Sequence, residues 1–154
     1  MSKRADKAKA LFLEGYNCSQ SVLGAFADLY GLDTDTAMRL SDGFGGGMGR
    51  MRLTCGAVSA MALLAGLELS SGRPKDTENR TIVYAKVKEM ADAFQQKNGS
   101  IICRELLGNA LPSDNSSRPE DRTAEYYRKR PCHECVYDCA CIIETLLLQK
   151  KTDS

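Results

Sequence analysis

Apolar positions recur every three or four residues along most of this chain, the spacing of a helix with one buried face. Alternating, strand-like stretches are scarce. Residues 2–15, SKRADKAKALFLEG, predict a first short helix that stops at Gly15. Residues 17–31, NCSQSVLGAFADLYG, predict a second. Asn17 is placed to cap it, Gln20 completes a capping box, and Gly31 ends it. Its apolar face holds Cys18, Val22, Ala25, Phe26 and Leu29. Asp33 is placed to cap a short third segment, DTDTAMRLSDG.

Residues 55–69 break this pattern, being apolar nearly all round, which predicts a central buried helix. Gly56, Ala57, Ser59, Ala60 and Ala62 are small, so neighbouring helices can approach it closely. The turn RPKD separates it from a long amphipathic helix over about residues 77–97, with Val83, Val87, Met90 and Phe94 on one face. Asn98-Gly99 ends that helix, and Ser100 is placed to cap the next, IICRELLG. Residues 109–122 are polar, hold two prolines and predict a loop or mobile excursion. A short piece, AEYYRK, precedes a last helix from near Pro131 to about Lys150. The expected fold is all-α: a compact bundle of five to seven helices around a central apolar helix, in a single domain over residues 1–154.

Length and charge narrow the function. A chain of 154 residues suits one domain with a real core. Lys plus Arg number 21 against 20 for Asp plus Glu, so nothing argues for nucleic acid or an anionic membrane. The segment YYRKR mixes aromatics with cations, but one such run reads as a solvated helix face. The basic N-terminus lacks the apolar stretch of a secretory signal, and the longest apolar run, around residues 58–67, is too short to span a bilayer. The expectation is a cytoplasmic protein that is not membrane-embedded. Self-association into a homo-oligomer is left open.

Seven cysteines are out of proportion for such a chain: Cys18, Cys55, Cys103, Cys132, Cys135, Cys139 and Cys141. In a reducing compartment they point to metal, redox chemistry or catalysis. The plain alternative is core filling, because free cysteine is commonly buried. Four of the seven, Cys18, Cys55, Cys103 and Cys132, fall in the first turn of a predicted helix. Free N–H groups and the positive end of the helix dipole favour a thiolate there. Cys132, Cys135 and Cys139 share one sector of the last helix with Val136, Ile143 and Leu146. For Cys135 and Cys139 packing is the favoured reading, and Cys141 points the other way. His133, the single histidine, reads as a solvated helix-start residue rather than a ligand or proton shuttle. The spacing C-x2-C-x3-C-x-C lacks a second C-x-x-C knuckle, so it carries little zinc signal.

The stretch GFGGGMGRMRLTC crowds glycines before one thiol. It does not meet G-x-G-x-x-G, no strand precedes it and the Walker pattern is absent, which disfavours a dinucleotide site. Gly45, Gly46, Gly47 and Gly49 let the backbone fold closely over the start of the central helix. There the loop can present N–H groups to Cys55, with Arg50 and Arg52 adding positive charge. A tight reversal packed on the core is the compatible structural reading.

The ordered series GYNCSQSVL, GFGGGMGRMRLTCGAVSAMALLAGL, CRELLG and a cysteine leading the last helix resembles the C_GCAxxG_C_C family of redox-active proteins. The resemblance runs from about residue 15 to 146. It implies four characteristic cysteines, matched here by Cys18, Cys55, Cys103 and Cys132, one of them inside a C-G-A-x-x-G motif. The motif's last glycine is Ala60 in this chain.

The first functional reading is dithiol–disulfide exchange among those four cysteines, a thiol oxidoreductase if it is an enzyme. Cys55 is expected as attacking nucleophile and Cys18 as resolving thiol, with Cys103 and Cys132 as a second couple or ligand pair. A redox partner protein or a small thiol would supply or take electrons. The second reading is a metal-binding module in which Cys18, Cys55, Cys103 and Cys132 hold zinc, iron or an iron–sulfur cluster. The third is a helical interaction protein with core cysteines.

Overall fold

Capping side chains set the helix boundaries. The computed structural model describes residues 2–149. Among them, eight α-helices and no strand form the fold: α1 (Lys3–Leu13), α2 (Cys18–Phe26), α3 (Thr34–Asp42), α4 (Gly56–Leu69), α5 (Thr77–Asn98), α6 (Cys103–Leu107), α7 (Ala124–Lys129) and α8 (Cys132–Ile142). Asn17 and Gln20 form the expected capping box on α2. Asp33 accepts from the Thr36 N–H on α3, and Asp76 does the same for Asn79 on α5. The all-α expectation holds. The bundle count of five to seven is exceeded by one, with the short segments IICRELLG and AEYYRK each contributing a helix, α6 and α7. Among the described residues no helix is long and apolar enough to cross a membrane.

Three local departures have physical causes. The α-helix of the second segment stops at Phe26, and Ala27–Tyr30 tighten into a 3-10 turn. That change of pitch carries Leu29 off the apolar face, leaving it 38% exposed. Ser100 does not cap α6; its hydroxyl accepts from the Ile102 N–H inside a turn and donates to Glu105. The helix starts later, at Cys103, because Ile102 just before it is held extended by an antiparallel bridge to Thr54. At the other end, α8 widens into a π-helical turn over Ile143–Leu147. The expected end near Lys150 lies outside the described residues.

The core is built on Phe12, Phe26, Phe94, Leu23, Met61, Leu64, Met90 and Ile143, all buried. A side chain of this size contributes about 1.5–3 kcal/mol when removed from water. α2 packs against α1, α3, α4 and α8, while α4 packs against α2, α5 and α8. The middle of the bundle is therefore shared by α2 and α4. Although α4 is apolar on all sides, its last turn runs out to the surface, where Leu67 is 44% exposed.

Between α3 and α4 the chain makes a left-handed coil. Gly46, Gly47, Met48, Gly49, Arg50 and Arg52 have φ between 59° and 71°. The coil closes on itself through hydrogen bonds from Gly49 N to Gly43 O, Arg52 N to Gly46 O and Leu53 N to Gly47 O. For Met48, Arg50 and Arg52 this backbone is strained by roughly 1–2 kcal/mol each. At Gly47 a side chain is also excluded by space, since a Cβ there would lie 2.6 Å from Cys103 Cβ and from the Leu53 backbone N. The bridge beyond the coil, with Cys55 N donating to Ile101 O and Cys103 N to Leu53 O, sets the starts of α4 and α6 side by side.

Two glycines therefore respond oppositely to alanine. Gly47→Ala is expected to destabilise by at least about 2 kcal/mol, from strain and the backbone clash. Gly66→Ala, in α4 with open space at its Cβ position, is expected to stabilise by about 0.5–1 kcal/mol. Equilibrium urea unfolding of both variants checks the pair; equal shifts would contradict the packing described.

Candidate functional site

Four helix starts converge on one cavity of about 480 Å³. Cys18 opens α2, Cys103 opens α6, Cys132 opens α8, and Cys55 is the residue just before α4. All four line the cavity, together with Cys135. The seven cysteines carry free thiols. Cys55 departs from the expected first-turn position by one residue: it sits at the cap and offers α4 no side-chain hydrogen bond.

The floor of the cavity is a sulfur pair. Cys18 and Cys55 are hydrogen-bonded to each other. Backbone N–H groups of Gly46, Ser19 and Gly56 also point to the Cys18 sulfur. Their availability follows from local structure. The Asn17 cap takes the Gln20 N–H, which leaves the Ser19 N–H of the first turn free to donate elsewhere. The Gly56 N–H begins α4, whose cap residue has no side-chain bond to give. Gly46 is turned toward Cys18 by the left-handed coil. Cys18 thus receives donors from two helix starts and one loop.

Those donors decide which sulfur carries the charge. Hydrogen bonding from the Cys55 thiol, followed by the three N–H groups, pulls the Cys18 thiol down from its ordinary value to about 6, against the opposing effect of burial. Cys55 moves the other way, well above its ordinary value, because its proton is held by Cys18 and because burial and the Cys18 charge oppose a second anion. The glycine loop therefore serves Cys18 rather than Cys55.

Gly56 permits this arrangement by having no side chain. A Cβ there would lie 2.6 Å from Cys18 Sγ and 2.8 Å from Phe44 O. Gly45 is similar, with Asn17 Nδ2 2.5 Å from the place a Cβ would take. The glycines at 45, 47 and 56 are thus fitted against Asn17, Cys103 and Cys18 in turn. Ala60, where the motif has its last glycine, is fully buried in the core.

The other two cysteines each face an arginine. Arg52 Nη1 lies 3.7 Å from Cys103 Sγ. Burial raises the Cys103 thiol, and Arg52 partly offsets it. Burial pushes Cys132 up to about 12, with Arg130 opposing. Cys135 and Cys139 are also raised, chiefly by burial. Cys139 is fully buried in the core, as the packing reading expects, whereas Cys135 is both buried and part of the cavity wall. Cys141 and His133 do not line the cavity.

The polar loop after α6 forms the remaining wall. Ser117, Pro119 and Glu120 line the cavity. Arg50 holds this segment by donating to the carbonyls of Ser116 and Arg118. Glu120 forms ion pairs with both Arg50 and Arg130. Arg122 anchors the end of the loop through the Phe12 and Tyr16 carbonyls, and its guanidinium stacks 4.4 Å from the Phe12 ring centroid. The expected excursion is therefore a tethered wall.

The sequence reading missed Glu120, Arg122, Tyr126 and Arg130 as site residues. A signal existed: Tyr126 and Arg130 are four apart in YYRKR, and the Arg130 guanidinium lies 4.4 Å over the Tyr126 ring. The solvated-face reading of that run fails because both groups turn inward.

Four thiols suit zinc or iron by their chemistry, but their placement does not gather them around one point. Among the described residues no group of three or more His, Cys, Asp or Glu side chains is placed to hold an ion. The four sulfurs share a cavity without forming a tetrahedral cage, so the zinc, iron and iron–sulfur readings find no support in the geometry.

Among curated proteins and solved structures none matches the chain. A family model does match, over residues 16–146, which contain all seven cysteines, the left-handed coil and the cavity wall. The chain belongs to the C_GCAxxG_C_C family, described as "Putative redox-active protein".

Proposed function

We propose that this protein is a thiol redox protein whose working couple is Cys18–Cys55, with Cys18 as nucleophile and Cys55 as resolving thiol. The observation that carries the reading is the placement of Cys18 and Cys55 in one cavity at the starts of α2 and α4, with the Cys18 sulfur set against Gly56. That setting draws the Cys18 thiol down and the Cys55 thiol up. This exchanges the roles expected from the sequence. The physical reason is that the N–H donors converge on Cys18, so the anion resides there.

The exchange runs as two displacements. Cys18 Sγ attacks a disulfide sulfur of the oxidised partner and forms a mixed disulfide, expelling the partner's other sulfur as a thiolate. Cys55 then gives up its proton to solvent and attacks Cys18 Sγ, which releases the partner fully reduced. Two electrons leave the dithiol, and a Cys18–Cys55 disulfide remains. A dithiol protein or a small thiol would reverse the sequence to regenerate the couple. Cys103 and Cys132, each facing an arginine at the cavity wall, form a second couple in this reading. A reducing compartment, the cytoplasm, suits a chain with seven free thiols.

Alkylation of the reduced protein with iodoacetamide, read at each cysteine by peptide mass spectrometry across pH, tests the charge assignment. Thiolate is the reactive form, so a lowered pKa moves the rate curve to lower pH. Cys18 is expected to show a midpoint near 6. Cys55→Ala is expected to raise that midpoint by about one to two pH units, since it removes a hydrogen bond to a charged acceptor worth about 1.5–3 kcal/mol. Cys55→Ser keeps a hydroxyl donor and should raise it less. A wild-type midpoint near about 8.5, the free-thiol value, overturns the assignment.

The order of attack is tested by single-turnover oxidation with a small disulfide. Cys55→Ser is expected to stop at a mixed disulfide on Cys18, whereas Cys18→Ser should lose the reaction. Cys141→Ser should leave it nearly intact, because that thiol lies away from the cavity. Trapping on Cys55 in the Cys18→Ser variant, at an undiminished rate, would return the nucleophile's role to Cys55.

A further inference from the structure

The cavity above the sulfur pair is cationic beyond what its own carboxylates balance. Four guanidinium groups line it, those of Arg50, Arg52, Arg122 and Arg130, against the carboxylates of Glu120 and Asp42. Arg52 and Arg130 are each 7% exposed. A guanidinium withdrawn from water needs an anion or a full set of acceptors. Arg130 has Glu120. Among the described residues Arg52 has no carboxylate within ion-pair distance, and its guanidinium hydrogen bond goes to the Cys103 sulfur. Arg50 Nη2 is buried and makes no hydrogen bond; the nearest carboxylate oxygen, on Glu120, lies 3.9 Å away.

Two features show that these cations are built into the wall. Arg50 and Arg52 both sit at positive φ, a strained conformation for a residue with a side chain. The same coil that turns Gly46 toward Cys18 thus turns both arginines to the cavity. Glu120, paired with both Arg50 and Arg130, places a carboxylate against these two guanidinium groups. Planar guanidinium forks suit carboxylates in particular.

We propose that the arginine-lined cavity over Cys18 selects small disulfides that carry carboxylates, with Arg50, Arg52 and Arg130 holding the anionic groups while the disulfide reaches the sulfur pair. This rests on the thiol-exchange reading above. The Cys18 sulfur bonds to one sulfur of the substrate, the substrate S–S bond breaks, and the far half leaves as a thiolate that takes a proton from solvent. Cys55 loses its proton, attacks Cys18 and frees the second half. One substrate disulfide is reduced to two thiols, and the protein's dithiol is the two-electron reductant. Glu120 competes with the substrate carboxylate for Arg50 and Arg130.

Three disulfides of similar size and different charge separate the outcomes: dithiodipropionate (a carboxylate at each end), hydroxyethyl disulfide (neutral) and cystamine (an ammonium at each end). Each is mixed with the reduced full-length protein, and formation of the Cys18–Cys55 disulfide is followed by quenched-flow mass spectrometry. Every rate is divided by that of 1-thioglycerol, a neutral monothiol, with the same disulfide, which removes intrinsic reactivity. The normalised rate for dithiodipropionate should exceed that for the neutral compound by about tenfold or more, with cystamine slowest. Arg52→Gln should reduce that preference, and Glu120→Gln should increase it. Equal normalised rates, or a preference for cystamine, overturn the selection proposed here and leave thiol exchange standing. If none of the three oxidises the folded protein although the denatured protein reacts, the thiol reading fails and this proposal with it. The three wild-type rates decide the matter even if an arginine variant does not fold.

Discussion

One sulfur atom organises this end of the molecule. Cys18 Sγ sits where the starts of α2 and α4 meet the left-handed coil, and it collects N–H groups from all three. Such groups at a helix start have no partner within the helix. Here an acceptor from another element satisfies one, and the positive ends of two helix dipoles favour the acceptor as an anion. The contact demands close approach, and the absence of a side chain at Gly56 provides the space. The glycine-rich segment before Cys55 has the same explanation: its glycines fit against Asn17 and Cys103 while its backbone turns left-handed.

The charge pattern follows from this geometry. Two thiols in contact cannot both ionise without strong repulsion, so the proton and the charge divide between them. The N–H donors assign the charge to Cys18, and Cys55 keeps its proton and donates. Cys103 and Cys132, without a comparable set of donors, are governed by burial and stay protonated, opposed only by Arg52 and Arg130 at Cys103 and by Arg130 at Cys132. Four cysteines in similar positions along their helices thus come to differ, with Cys18 alone drawn below its ordinary value.

The wall opposite the sulfurs shows how a polar loop becomes ordered. Residues 109–122 have little apolar area to bury, yet Arg50 reaches across from the coil and holds the segment by the Ser116 and Arg118 carbonyls and by Glu120, while the segment's own Arg122 ties its end to the Phe12 and Tyr16 carbonyls. A guanidinium has several donors in one plane, so a single side chain can fix a stretch of backbone. The strain at Arg50 and Arg52 is sustained by the closed hydrogen bonds of the coil around them.

The sequence by itself determined the helical architecture. Period, capping box and stop residues are local, and Asn17 with Gln20, Asp33 and Asp76 act within one turn of the chain. It also marked Cys18, Cys55, Cys103 and Cys132, because a position near a helix start is a local property. The tertiary structure alone decided which sulfur ionises, since the donors to Cys18 come from residues 46 and 56, far along the chain. It likewise decided that Tyr126 and Arg130 face a cavity, that residues 109–122 form a wall, and that Leu29 and Leu67 lie at the surface. Side-chain direction at a 3-10 turn, a helix end or a loop depends on what the rest of the chain brings against it, and no local pattern encodes that.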